Sequence, residues 1–194
     1  MYLALLLLCV VRVESIEPNT TSWGSGTCVA STDVSLVLTA NHVIQDGHEF
    51  KINGKKATLV GRDKVWDLAA LTVDERLQTV SIATRRPRAG DKLRVCGYGS
   101  GDYKESTGKL IRYFSPTGNY SEDFLAMDAG ARPGDSGGPI FDAEDNLAGV
   151  LFGSDKLGAH GSCCTRVRSF VKGLDIDPKL KEQALRVSYV IYGR

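Results

Sequence analysis

The sequence predicts an all-β protein, a sandwich or barrel, closed off by one C-terminal helix. Three observations predict it. Short apolar or alternating stretches succeed one another with turn signals between them: Ser35–Thr39, Ala57–Val60, Leu68–Val73, Lys92–Cys96, Lys109–Phe114, Asp123–Met127 and Leu147–Phe152. Strands this short and this regularly spaced suit sandwiches and barrels, whereas a parallel sheet needs a helix between successive strands. Second, Asn53-Gly54 stands between Phe50–Ile52 and Lys55–Leu59, and two residues that tolerate positive φ are what a type I′ hairpin requires. Third, Asp177 and Pro178 supply an N-cap and an N1 proline, and Leu180, Ala184, Leu185 and Val187 recur at helical spacing. They predict a helix over 179–190.

Taken from the start of the chain, Tyr2–Val11 is an apolar run as long as a signal-peptide core and too short to span a bilayer. Val13 and Ser15 place small residues at −3 and −1 of a cleavage site, so residues 1–15 are predicted as a signal peptide and Ile16 as the mature terminus. No basic residue precedes the run, and Arg12 follows it; the competing reading is a buried first strand. The signal implies a secreted or periplasmic protein, and no later segment is apolar enough for stable membrane insertion. Arg85–Gly90 is polar and turn-rich, and is predicted to connect two halves, 16–84 and 91–172, with its three arginines as a solvated face. Residues 173–194 form the helical tail.

Composition sets the outer limits. The chain has 194 residues, 42% hydrophobic and 24% charged, as expected of a soluble domain with a core. Its net charge of +1 implies no field that would gather nucleic acid. With Cys9 removed in the signal, Cys28, Cys96, Cys163 and Cys164 remain, either as two disulfides in one of three connectivities or as buried thiols. None stands at metal-ligand spacing with His42, His48 or His160, and no metal or organic cofactor is expected.

Three strings carry chemistry. Gly134–Pro139 reads Gly-Asp-Ser-Gly-Gly-Pro. A serine hydroxyl needs a base to take its proton and donors to hold the oxyanion it creates. Glycines beside Ser136 let the backbone turn and aim the N–H groups of Gly134 and Ser136 at one point. Leu38–Val43 places His42 just after a β-type run, and Val65–Leu71 places Asp67 at the mouth of an apolar strand. Each string alone has a bland explanation, as a loop, a surface histidine or a turn acid. The order His, Asp, Ser is harder to dismiss.

From about Trp23 to Val171 the chain resembles the trypsin-like (chymotrypsin-fold) serine peptidases, especially their compact bacterial members, which begin with a strand like Gly24–Thr27. Gly97–Gly99 resembles the strand end that opens their second barrel, Leu147–Gly153 the strand along which substrate lies, and Thr165–Val167 the strand after it. The resemblance implies two six-stranded antiparallel β-barrels, with His42 and Asp67 on the first and Ser136 on the second. It implies a serine endopeptidase in which Ser136 attacks, His42 carries the proton and Asp67 orients the imidazole. A polypeptide substrate and a monomer follow. The alternatives are a catalytically silent binding protein of the same fold, or an esterase using the same triad. An α/β-hydrolase is disfavoured because its nucleophile precedes its acid and histidine. A protease carrying a PDZ domain is set aside because only about twenty residues follow the second half.

The resemblance also marks departures. In zymogen-activated relatives the residue matching Asp135 pairs with a freed N-terminal amine. Ile16 is a poor source of one here, and a local partner for Asp135 is expected instead. Gly130 stands where a trypsin carries its specificity aspartate. Gly130, Ala131, Phe152, Ser154 and Ser162 are therefore predicted to line a pocket for a small or apolar P1 residue, with His160 read as a loop histidine.

Overall fold

The computed structural model describes residues 8–44, 47–99, 101–118 and 120–186. Twelve strands build two closed barrels. The first contains β1 (Val10–Ile16), β2 (Thr21–Ser31), β3 (Ser35–Thr39), β4 (Glu49–Ile52), β5 (Lys55–Asp63) and β6 (Leu68–Val73). The second contains β7 (Lys92–Gly97), β8 (Lys104–Phe114), β9 (Phe124–Met127), β10 (Pro139–Phe141), β11 (Leu147–Asp155) and β12 (Gly158–Cys163). Among the described residues three helices complete it: α1 (Asn41–Ile44), α2 (Cys164–Gly173) and α3 (Pro178–Leu185). The strand order is β1-β2-β3-β6-β5-β4 in the first barrel and runs β7-β8-β9-β12-β11-β10 around the second, the same circuit twice.

The uninterrupted apolar strands follow from this architecture. Val37, Ala69 and Leu71 point into the first barrel's core beside Val13 and Ile52. Their neighbours Leu36, Leu38, Leu68 and Ala70 point outward into a second apolar layer, with Phe141, Leu147, Val167 and Leu180. With both faces buried, alternation disappears and the strand reads as a solid apolar run. The second barrel holds its own core of Leu93, Val95, Leu110, Leu125, Met127 and Ile140.

At Asn53-Gly54 the hairpin forms as predicted, with φ of 49° and 82°, the two left-handed residues a type I′ turn needs. The predicted C-terminal helix is α3, capped by the Asp177 side chain, which accepts from the N–H groups of Lys179 and Leu180. Its last turn is at Leu185 rather than Val190, and 187–190 lie outside the described residues.

Two expectations need correction. Val10–Ile16 is a barrel strand, hydrogen-bonded between β2 and β4, so cleavage after Ser15 would remove the strand that closes the first barrel. Val10 and Val11, which end the apolar run that resembles a signal core, are buried side chains of this strand, and residues 1–7 lie outside the described ones. Thr165–Val167 belongs to helix α2, whose buried Cys164, Val167 and Val171 recur at helical spacing. Of the two alternatives left open for Cys28, Cys96, Cys163 and Cys164, the structure has buried free thiols.

Nor is Arg85–Gly90 simply a solvated face. The Arg86 guanidinium lies 3.7 Å from the Tyr113 ring centre and 3.5 Å from the Asp123 carboxylate. The Tyr113 hydroxyl donates to the Pro87 carbonyl at 2.8 Å, which fastens the connection to the second barrel.

Candidate active site

Strand β3 ends at Thr39 and the chain turns at once into the single helical turn α1, which carries His42. Asp67 sits just before β6 with φ of +50°, a left-handed conformation that aspartate and asparagine tolerate better than most residues. That turn directs the carboxylate back onto α1. Asp67 Oδ2 lies 2.6 Å from His42 Nδ1, and Oδ1 accepts the His42 backbone N–H at 2.8 Å. The Asp67 carbonyl accepts from Asn41 N–H at 3.1 Å. An acceptor at Nδ1 places the ring proton there and leaves Nε2 with its lone pair outward.

Ser136 approaches from the second barrel, on the turn between Arg132 and Pro139. Its Oγ donates to the Phe152 carbonyl at 3.4 Å and makes no hydrogen bond to His42 in this conformation. Gly134 has φ of +88°, and a Cβ there would stand 2.3 Å from the Gly99 carbonyl oxygen, so only glycine fits. Among the described residues, neither the Gly134 nor the Ser136 N–H donates to a backbone carbonyl.

Sequence reasoning missed the residue that ties these parts together. Ser25, fully buried on β2, donates its backbone N–H to the Ser136 carbonyl at 2.8 Å. Its hydroxyl donates to the Gly134 carbonyl at 2.9 Å and accepts from the Tyr98 N–H at 3.0 Å. Its carbonyl accepts from the Thr39 hydroxyl at 2.7 Å. One serine thus joins the strand leading to His42 to the turn carrying Ser136. The signal available in the sequence is the Gly24-Ser25-Gly26 string, but the Gly134 and Ser136 carbonyls that it meets lie more than a hundred residues away.

Of the predicted pocket residues, Phe152 is half-buried against Phe124, with ring centres 4.6 Å apart. Gly130 and Ser154 are exposed and Ala131 is half-buried. Ser162 differs from expectation: it is buried and its hydroxyl donates to the Trp66 carbonyl. It is a strut between the barrels, set one residue from Asp67, and offers no hydroxyl to a substrate. His160 faces the Phe114 and Phe152 rings, and its Nε2 lies 3.6 Å from Asp155. A cavity of about 350 Å³ lies elsewhere, between β5 and α2, and includes none of the predicted site residues.

Trp66, the neighbour of Asp67 in the chain, packs against a half-buried arginine. The Arg166 guanidinium lies 4.1 Å from the Trp66 ring centre and 3.0 Å from Asp123 Oδ2. Burial pushes the Asp123 carboxyl up, but hydrogen bonds from Ser121, Thr165 and Arg166, with the Arg166 charge, outweigh it and hold the group below the usual carboxylate range. Burial drives the Cys28, Cys96 and Cys164 thiols up to about 12, which keeps them protonated and unreactive. No helix of the described residues is long and apolar enough to cross a membrane.

Residues 24–150 match the trypsin-like peptidase domain, and the chain belongs to that family. It is 31% identical over 138 residues to the probable periplasmic serine endoprotease DegP-like of Rhizobium meliloti (strain 1021), covering 66% of this chain and 27% of that protein. It is 31% identical over 162 residues to the serine endoprotease DegS of Salmonella typhimurium (strain 14028s / SGSC 2262), covering 73% of this chain and 44% of the relative. The chain thus spans about a quarter of the DegP-like relative's length and under half of DegS. In fold it is similar to the active form of the Rv3671c protease of M. tuberculosis, with a TM-score of 0.77 at 23% identity over 90% of this chain and 84% of that one. The serine endoprotease of Yersinia pestis gives a TM-score of 0.70 at 25% identity over 96% of this chain and 67% of that one.

Proposed function

We propose that this chain is a serine endopeptidase with His42, Asp67 and Ser136 as its triad. The observation that carries the reading is the double contact of Asp67 with His42, at 2.6 Å to the ring and 2.8 Å to the backbone. A carboxylate gripping one residue twice orients the imidazole and stabilises its protonated form.

In the reaction, the Ser136 hydroxyl turns from the Phe152 carbonyl to His42 Nε2 and gives up its proton as Oγ bonds to the scissile carbonyl carbon. The C=O electron pair moves onto oxygen, and the N–H groups of Gly134 and Ser136 receive that oxyanion. Collapse expels the amine, which takes the proton from His42, and leaves an acyl-serine. Water, deprotonated by the same nitrogen, then releases the carboxylate and restores Ser136. The chemistry needs no metal or organic cofactor. With Gly130 before the nucleophile and Phe152 on the wall, a small or apolar P1 side chain fits better than a basic one. An exported site of action draws support from the periplasmic name of the relatives, and not from residues 10–15, which are barrel strand.

The test is pre-steady-state hydrolysis of an activated ester, together with cleavage of an unfolded polypeptide. The expected result is a burst of one product equivalent per chain, absent in His42→Ala, and polypeptide cleavage after small or apolar residues. The absence of Ser136 Oγ from His42 is what a silent homologue would also show, and a folded protein with neither burst nor cleavage would establish that reading. A burst without polypeptide cleavage would establish the esterase.

A further inference from the structure

Asp135, beside the proposed nucleophile, is a buried carboxylate at 4% exposure. Its partner is Arg132, three residues back in the same turn. Arg132 Nη2 donates to Asp135 Oδ1 at 2.9 Å, while Arg132 Nε and its backbone N–H donate to Oδ2 at 3.1 and 2.8 Å. Nη2 also donates to the carbonyls of Gly97 and Asp102, at 3.2 and 3.1 Å. A two-pronged guanidinium contact fixes direction as well as charge, which a lysine cannot do.

The segment after β7 is shaped around this pair. A Cβ at Gly97 would stand 2.5 Å from the Asp135 carboxylate oxygen, and one at Gly99 would stand 2.6 Å from the Arg132 guanidinium carbon. The main chain of Asp135 closes the turn, its N–H donating to Arg132 O at 3.0 Å and its carbonyl accepting from Gly138 at 2.9 Å. Gly134 and Ser136, whose N–H groups are the oxyanion donors of the reading above, flank that carboxylate on either side. The one residue named as an alternative source of a cation is unavailable: Ile16 is inside β1, paired with Thr21 and Glu49.

We infer that Arg132 is a positioning residue that supplies from within the turn the cation holding Asp135. The oxyanion donors are thereby set without a freed N-terminal amine. The inference rests on the proposed triad for its effect on rate, but not for its effect on the turn. Loss of the fork lets the Asp135 carboxylate swing, and the N–H groups on either side move with it. A shift of about 1 Å at such donors costs on the order of 100-fold in rate.

The experiment compares the full chain with its Arg132→Gln, Arg132→Lys and Gly99→Ala variants, by ester hydrolysis and by amide hydrogen exchange of the peptide spanning 132–138. For Arg132→Gln, kcat is expected to fall about 100-fold with KM little changed, and free guanidinium ion to restore part of it. Arg132→Lys recovers less than guanidinium does, and Gly99→Ala, which crowds the guanidinium from outside, shows the same fast exchange. The exchange of 132–138 rises in each variant while that of β3 and β6 stays as in the parent. The inference is overturned if Arg132→Gln keeps kcat and the parent exchange rate. It is equally overturned if activity falls only in step with unfolding, or if the parent works only after trimming exposes a new N-terminus. If the parent shows no burst, the triad reading fails, and the exchange of 132–138 still decides the role of Arg132.

Discussion

Asp67 combines two demands at one residue. Its backbone must adopt φ of +50° to turn into β6, and its carboxylate must reach both His42 Nδ1 and the His42 N–H. Asparagine satisfies the first demand as well as aspartate does, so Asp67→Asn isolates the second. An amide offers one acceptor oxygen and one NH₂, and with the NH₂ toward Nδ1 the proton moves to Nε2, where it blocks the base. Expected is a fall in kcat on the order of 10³ to 10⁴, with unchanged circular dichroism and thermal midpoint. A loss under about tenfold would mean that Asp67 is a turn residue and no more. Ser25 makes the complementary case. Its hydroxyl is both donor and acceptor between Gly134 and Tyr98, and Ser25→Ala leaves two half-buried backbone groups without that partner, at about 1–3 kcal/mol.

Among the elements, the connection between the barrels and helix α2 meet at Asp123. Arg86 reaches it from the connection, Arg166 from α2, and Ser121 and Thr165 add hydroxyls. Because the folded carboxyl lies below its usual value near 3.9, its contribution to stability is complete above that value and is lost as pH falls through the folded one. Asp123→Asn should therefore melt on the order of 5 °C below the parent at neutral pH, with the gap closing as the pH falls below the usual carboxylate value and through the lower folded one; scanning calorimetry from neutral pH into acid checks it. A gap that persists in acid would locate the effect in packing instead. Thiol chemistry tests the same region and the first barrel together. In the native protein Cys28, Cys96, Cys163 and Cys164 should resist a thiol reagent, and all four should react after denaturation without reductant. Two that stay unreactive when unfolded would reveal a disulfide.

How much of this was legible in the sequence depended on the reach of each interaction. The buried runs Ser35–Thr39 and Leu68–Val73 and the Asn53-Gly54 turn coincide with the observed elements because their causes are local: burial on both faces, and a tolerance for positive φ. Asp177 and Pro178 marked the start of α3 for the same reason. The strings around His42, Asp67 and Ser136 stood out through order and residue type, but the His42–Asp67 contact and the distance of Ser136 Oγ from the base needed coordinates. What stayed hidden depends on distant partners. Arg86 looked solvated because Asp123 is 37 residues away, and Ser162 looked like a pocket wall because its acceptor is 96 residues back. β1 was ambiguous rather than hidden, since Val10 and Val11 end an apolar run that reads equally as a signal core or as a buried strand.

For the whole molecule, the repeated strand circuit means that each barrel closes through its own first strand and that the site lies where the two meet. Removing 1–15 would take away Val10, Val11 and Val13, all buried, at about 1.5–3 kcal/mol each against a total stability of about 5–15 kcal/mol. A chain beginning at Ile16 should therefore fail to fold cooperatively by circular dichroism, and an equally stable protein starting there would show that β1 is dispensable. The central claim, that His42 on the first barrel activates Ser136 on the second, is tested most directly by reaction with a fluorophosphonate and mapping of the adduct by peptide mass spectrometry. A single adduct on Ser136, lost in a folded His42→Ala protein, is the predicted result. An unlabelled Ser136 in the folded parent, or labelling that survives the loss of His42, would contradict it.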